Sequence, residues 1–245
     1  MKRRVFSLST LPDNKIVPYS MEVMTTKLFT NIEKKVVGKY GEVGKALLKQ
    51  GIENFGYKDA EDIARKAVIE GDIHTLFDYI PKDHDTENKY TNLTPFALFA
   101  KLFAQITKPI VDMYGDDGEK TIQEGIWEFG ENRGYGIAQR ARVNGQDNTI
   151  ENYLPNYDMG RSELFTIEEN YTPGEIEQTF KVCPLGQQWA DDNMHKYGLV
   201  YCTIIDDAIA HGYNNKFNVV HDELLLKHGQ CHFRFQLEDE EKEND

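Results

Sequence analysis

Three cysteines, two arginines and one aspartate carry most of the chemistry this sequence offers. Cys202 and Asp206 are four residues apart, so on a helix they share one face and set a thiol beside a proton carrier. Cys183 precedes Pro184, a residue favoured at a first helical position, and a thiol beside a helix N-terminus is stabilised as its thiolate. Cys231 opens an alternating stretch next to His232, whose side chain must point to the opposite face. Three readings of the cysteines stay open. A nucleophile would use Cys202 with Asp206. A zinc site would use Cys183, Cys202 and Cys231, with Asp206 or a histidine as fourth ligand. The third reading is three packed thiols, since free cysteines are among the most buried residue types. No C-x-x-C pair is present, which favours the thiolate over zinc and leaves a redox disulfide unsupported.

Arg133 and Arg140 fall in a stretch whose apolar residues are Ile122, Ile126, Phe129, Ile137 and Ala141. At helical spacing both arginines lie within about 20° of Ile122, in the middle of the apolar stripe. That holds only if the helix runs through Gly130, Gly134 and Gly136. A guanidinium in an apolar wall needs an anionic partner. The partner is either a protein acid, with the glycines breaking the helix, or a substrate carboxylate. The histidines add little: His221 reads as an inward strand residue or an exposed one, and His211 sits at a helix end. There is no H-E-x-x-H, phosphate loop or G-x-S-x-G elbow.

The elements that must position these residues begin with an internal repeat. Residues 28–71 align with 102–145 without gaps at a constant offset of 74. Leu28-Phe29 falls on Leu102-Phe103, Tyr40-Gly41 on Tyr114-Gly115, Gly51-Ile52 on Gly125-Ile126, Phe55-Gly56 on Phe129-Gly130, and Gly71 on Gly145. Each copy reads as a helix, a Tyr-Gly break, and a second helix bent or interrupted near Phe-Gly. The first copy has Asp59 and Lys66 where the second has Arg133 and Arg140, which assigns support to the first and function to the second. Pro81–Asn92 reads as a polar linker, and Thr94-Pro95 caps the next helix. Residues 146–158 read as loop.

Beyond the repeat, Leu164–Glu169 and Ile176–Val182 form a hairpin around Thr172-Pro-Gly-Glu175, with Ile176, Gln178, Phe180 and Val182 on one face. Pro184–Lys196 and Tyr201–His211 read as helices, separated at Gly198 and closed at Gly212. Phe217–Leu226 and Cys231–Leu237 read as strands. The class is α+β: duplicated helix-break-helix units packed with an antiparallel sheet of about four strands that carries an inserted helix pair. Residues 1–92 form an N-terminal helical region, 93–237 the α+β domain, and 238–245 an acidic tail.

Lys and Arg total 28 against 41 Asp and Glu, a net charge of −13, and six acids and one lysine in 238–245 supply part of it. The charge left on the rest still repels nucleic-acid backbones and anionic membranes, so neither is an expected partner. The basic start Met1-Lys-Arg-Arg is not followed by the apolar run of a signal peptide, and no 18-residue apolar stretch occurs. The expectation is a soluble cytoplasmic protein.

The same residues carry a family resemblance. Tyr114-Gly115, Gly125, Phe129-Gly130, Arg133-Gly134, Ile137-Ala138 and Arg140 come first. Cys183-Pro184, Tyr201-Cys202-x-x-x-Asp206, His211-Gly212-Tyr213 and Gly229-x-Cys231-x-Phe233 follow. In this order and spacing the chain resembles the L-2-amino-thiazoline-4-carboxylate hydrolase family over about residues 95–237. The resemblance implies a hydrolase that opens a small carboxylate-bearing heterocycle, a cyclic amidine, lactam or imide. In the namesake reaction water adds at ring C2, the C–S bond breaks, and N-carbamoyl-L-cysteine is released. On this footing Arg133, Arg140 and Tyr201 bind the substrate, Cys202, Asp206 and Cys183 are catalytic, and no cofactor is required. The cysteine pattern also resembles the small-molecule domains related to 4-vinyl reductase, in which cysteines can hold zinc. The alternative to an enzyme is a non-catalytic module that binds or senses a small acid. Residues 20–80 lie outside the resemblance, and shaping the pocket or a homodimer interface are the roles open to them.

Overall fold

The structure, a computed structural model, describes residues 18–159 and 163–237. The basic start and the acidic tail lie outside the described residues. The chain forms two compact units, Tyr19–Phe129 with Cys183–Ile204, and Gly130–Val182 with the chain from Ile205 onward. No helix among the described residues is long and apolar enough to cross a membrane.

The first unit is helical and contains the first repeat copy and the second as far as Phe129. Helix α1 (Met21–Phe55) starts at Ser20, whose Oγ accepts from the Val23 amide, and α2 (Tyr57–Ile69) follows it. Helix α3 (Pro95–Tyr114) starts at Thr94, whose Oγ1 accepts from the Ala97 amide, with Pro95 in the first turn as expected. Helix α4 (Asp116–Val143) follows directly. The Tyr-Gly break is the same in both copies. Gly41 has φ 57° and ψ −138°, and Gly115 has φ 58° and ψ −134°, a region that only glycine enters without a Cβ clash.

The copies pack on each other by a local two-fold relation. Equivalent residues Tyr40 and Tyr114 stack with ring centres 3.8 Å apart and planes within 4°. A Cβ on Gly51 would lie 2.6 Å from Ile106 Cα, and one on Gly125 would lie 2.7 Å from Ile32 Cα. Since 32 matches 106 and 51 matches 125, each contact is the image of the other, the signature of an isologous interface. The Phe-Gly positions differ between copies: Gly56 (φ 122°) ends α1, whereas α4 continues through Gly130. Helices α6 (Pro184–Asp191) and α7 (His195–Cys202) complete this unit. Trp189 on α6 is fully buried, donates Nε1–H to the Ala100 carbonyl at 2.8 Å and meets Phe103 edge-on. Gly198 does not interrupt α7 as expected. It removes a side chain that would collide with the Trp189 ring.

The second unit is built on a four-stranded antiparallel sheet of order β1-β2-β4-β3. Its strands are β1 (Thr166–Thr172), β2 (Glu175–Val182), β3 (Asn218–Glu223) and β4 (Cys231–Gln236). The fold class is therefore α+β with helical units and a four-stranded antiparallel sheet, as the sequence implies. Period-two alternation gives β2 and β4 one inner face bearing Ile176, Gln178 and Phe180 beside Phe235, Phe233 and Cys231. Three helices, not two, separate β2 from β3: α6, α7 and α8 (Ile205–Tyr213). The stretch 146–158, expected as loop, holds the short helix α5 (Ile150–Tyr153) and a 3-10 turn. Tyr153 of α5 is buried against Tyr213, Phe217 and Phe235 at 5.0–5.8 Å, and burying a ring of this size contributes roughly 1.5–3 kcal/mol. A last short helix, α9 (Leu225–His228), joins β3 to β4.

Candidate active site

The second unit contains Arg133, Arg140, Asp158, Asp206 and His221. Helix α4 runs unbroken through Gly130, Gly134 and Gly136, so Arg133 and Arg140 do stand on its apolar stripe. Gly134 is needed because the backbone of α8, at Ile209 and Tyr213, occupies the space of a Cβ. Gly212 on α8 meets the Glu131 carbonyl in the same way. Gly212 thus lies inside α8, not at its cap.

Both arginines are buried and engaged. Arg133 donates Nε–H to Asp158 Oδ2 at 3.0 Å and Nη2–H to Oδ1 at 2.8 Å, with the two side chains 5% and 3% exposed. This is the bidentate fork that matches guanidinium to carboxylate. The Tyr157 ring lies 5.4 Å from the guanidinium carbon. Arg140 donates Nη1–H to the carbonyls of Asn156 (3.0 Å) and Tyr157 (2.7 Å). Together they pin the segment 156–158 against α4, Arg133 through a carboxylate and Arg140 through backbone carbonyls.

Asp206 lies in the first turn of α8 and keeps some accessible surface while protein surrounds its carboxyl. Burial pushes this carboxyl up to about 6. The charges of His221 and Arg133 draw it down and that of Asp207 drives it further up. His221 on β3 has Nε2 3.1 Å from Asp207 Oδ2, which holds the ring, and it meets Phe233 edge-on at 4.9 Å. Burial works against the imidazolium. The hydrogen bond to Asp207 and the charges of Asp206, Asp207 and Asp222 outweigh it, so its pKa is raised above the usual 6.5. The arrangement is a carboxylate tuned towards neutrality beside an oriented imidazolium, two groups suited to moving protons in opposite directions.

The remaining residues singled out by sequence are placed elsewhere. The expected single helix 201–211 is two helices: Cys202 is the last residue of α7, Thr203 and Ile204 intervene, and Asp206 belongs to α8. The shared helical face of Cys202 and Asp206 does not exist, and the two residues fall in different compact units. Tyr201 is buried among Phe99, Phe103 and Trp189 in the helical unit. Cys183 is the N-cap residue of α6, and Cys231 is buried at the start of β4 opposite Phe180. None of the three is in a disulfide. Among the described residues no group of three or more His, Cys, Asp or Glu is placed to hold a metal ion.

Sequence reasoning left three functional-looking groups unassigned: His221 with Asp207, Asp158, and the buried Gln178. The available signal was pairing. β4 alternates cleanly, which puts Phe233 inward, and His221 is its cross-strand partner.

A family model described as L-2-amino-thiazoline-4-carboxylic acid hydrolase matches residues 95–235. The chain belongs to that hydrolase family. The matched span runs from α3 to β4 and contains the second repeat copy, Asp206 and His221, but not the first copy. No curated protein matches the chain, and no solved structure does.

Proposed function

We propose that this protein hydrolyses a small ring bearing a carboxylate and an amidine-type carbon, with Asp206 and His221 moving the protons. The observation that carries the reading is the pairing of a carboxyl raised to about 6 with an imidazole held by Asp207. Asp206 titrates at about 6 and His221 holds its proton more tightly than an ordinary imidazole, a base and an acid for one reaction.

Asp206 takes a proton from the attacking water as its oxygen bonds to the ring carbon. The C=N pair moves onto the ring nitrogen, which takes a proton from His221. Collapse to the carbonyl then breaks the C–S bond. The hydroxyl proton returns to His221, the proton on Asp206 passes to the departing sulfur, and one water has been added. In this reading water, not Cys202, is the nucleophile. Arg133 contributes charge near Asp206 while its fork stays filled by Asp158.

The test is incubation with 2-amino-thiazoline-4-carboxylate, following ring opening by mass. Asp206→Asn and His221→Gln should each lower kcat by about 100-fold or more, the range of general acid–base catalysis. Full activity in both variants refutes the assignment. Binding without any product, in the native protein, favours the small-acid binding module instead.

A further inference from the structure

One row of side chains crosses the inner face of the sheet at a single level: Glu169, Gln178, Phe233 and His221, each the direct cross-strand partner of the next. The row is polar, aromatic and polar in the middle of an otherwise apolar face. Gln178 is 3% exposed, and its Nε2–H donates to Glu169 Oε1 at 2.6 Å. A carboxylate only accepts, so this bond fixes the amide orientation and leaves Gln178 Oε1 as an acceptor facing away from Glu169. Among the described residues no hydrogen bond reaches that oxygen. At the other end His221 Nδ1 is buried with no hydrogen-bond partner, while Nε2 is committed to Asp207. A buried polar atom without a partner is costly, and His221 Nδ1 calls for an explanation.

We propose that Gln178 is the specificity-determining residue of the site, reading an N–H of the substrate's planar amidine group, with Glu169 as the residue that positions it. The proposal rests on the ring-opening reading, since it places the reacting carbon between Gln178 Oε1 and His221 Nδ1. Strands β2 and β3 flank β4, so their backbones are about 10 Å apart, and side chains stand roughly perpendicular to the sheet. Phe233 stands between Gln178 and His221 in the row and meets the His221 ring edge-on at 4.9 Å. On this reading the site takes rings that present an amino donor to Gln178. It discriminates against rings that present a carbonyl there, because two acceptor oxygens would meet.

The experiment compares 2-amino-thiazoline-4-carboxylate with its 2-oxo analogue, measuring Kd by calorimetry and turnover by mass in the native protein, Gln178→Met and Glu169→Gln. The native protein should favour the amino ring. Gln178→Met should weaken the amino ring about 10-fold with little change for the oxo ring. Glu169→Gln, at a more exposed position, should narrow the same ratio by freeing the amide to flip, and it decides the matter should Gln178→Met fail to fold. Equal weakening of both rings, or an unchanged ratio, overturns the subsite even where the native protein turns over the amino ring. A selective loss of binding in a protein that shows no turnover upholds the subsite and refutes the ring-opening reading. Failure of the native protein to bind either ring overturns both.

Discussion

Replacing Asp206 by asparagine should make the protein more stable at neutral pH while removing its activity. The reasoning starts from the carboxyl's two environments. Its ordinary value is 3.8, and in the folded protein burial raises it to about 6. One unit is worth 1.36 kcal/mol, so holding the carboxylate ionised in the fold costs about 3 kcal/mol relative to the unfolded chain. The sign follows from proton counts. Between about pH 4 and pH 6 the folded state holds a proton on Asp206 that the unfolded state has lost, so stability falls as pH rises through that window and then levels off. The asparagine amide cannot ionise and resembles the protonated acid. The variant should therefore match the native protein near pH 4 and exceed it by about 3 kcal/mol at pH 7.

For a chain of this size that gain corresponds to roughly 6–12 °C in Tm. Urea unfolding of both proteins at half-unit steps from pH 4 to pH 7.5 reads the difference directly. Parallel curves would show that the carboxylate is not desolvated, and a variant less stable at pH 7 would show that its charge is needed for folding. Either result refutes the argument, and with it the basis for treating Asp206 as a tuned base.

The same pair predicts a bell-shaped pH dependence of kcat/KM, rising with an apparent pKa near 6 and falling above the raised value of His221; a profile flat from pH 5 to pH 9 would contradict it. Arg133→Met or Asp158→Asn alone should cost about 3–5 kcal/mol in unfolding experiments, because each leaves a buried charge or donor set without its partner, and the double change should cost less than the sum. Additive losses would show that the fork is not the relevant contact. Gly134→Ala should destabilise by about 1–3 kcal/mol, since its methyl enters the backbone of α8, while Gly136→Ala, with open space around it, should be neutral or stabilising. Cys202→Ser should retain ring-opening activity if water attacks; its loss, in step with alkylation at Cys202, would restore the thiolate.

The parts of the fold that were legible in the sequence are those whose signal is periodic. The repeat was visible because its glycines sit where backbone geometry or close approach leaves no alternative, as at Gly41 and Gly115. The strands were visible because β2 and β4 alternate. What misled was treating glycine as punctuation. Gly198 and Gly134 lie inside helices, where their job is to admit an indole ring and a neighbouring backbone. The real break, at Thr203-Ile204, carries no glycine or proline. The site suffered for the same reason. Cys202 and Asp206 looked like partners only on a continuous helix. His221, whose charge acts on Asp206, lies on β3, where a register shift between His221 and Glu223 blurs the alternation that would have assigned the side chain a face.

The two repeat copies show how one backbone can support two different uses. Asp59 and Arg133 occupy equivalent positions, both buried, and each binds a segment that follows its own helix pair. Asp59 accepts from the Lys89 amide at 2.8 Å and from Asn88 Nδ2 at 3.1 Å, so it ties the polar linker to α2. Arg133 ties Asp158 to α4 by its fork, and its charge also reaches Asp206. The architectural task is thus common to both: a charged side chain at one helical position captures the loop beyond. What differs is the sign of the charge and what stands next to it. Asp59 is satisfied by amide donors, whereas the Arg133 guanidinium also draws the Asp206 carboxyl down, the least of the influences on a group that burial raises. The family match covers only the copy with the arginine, the half in which one charge both holds a loop and tunes a neighbouring acid.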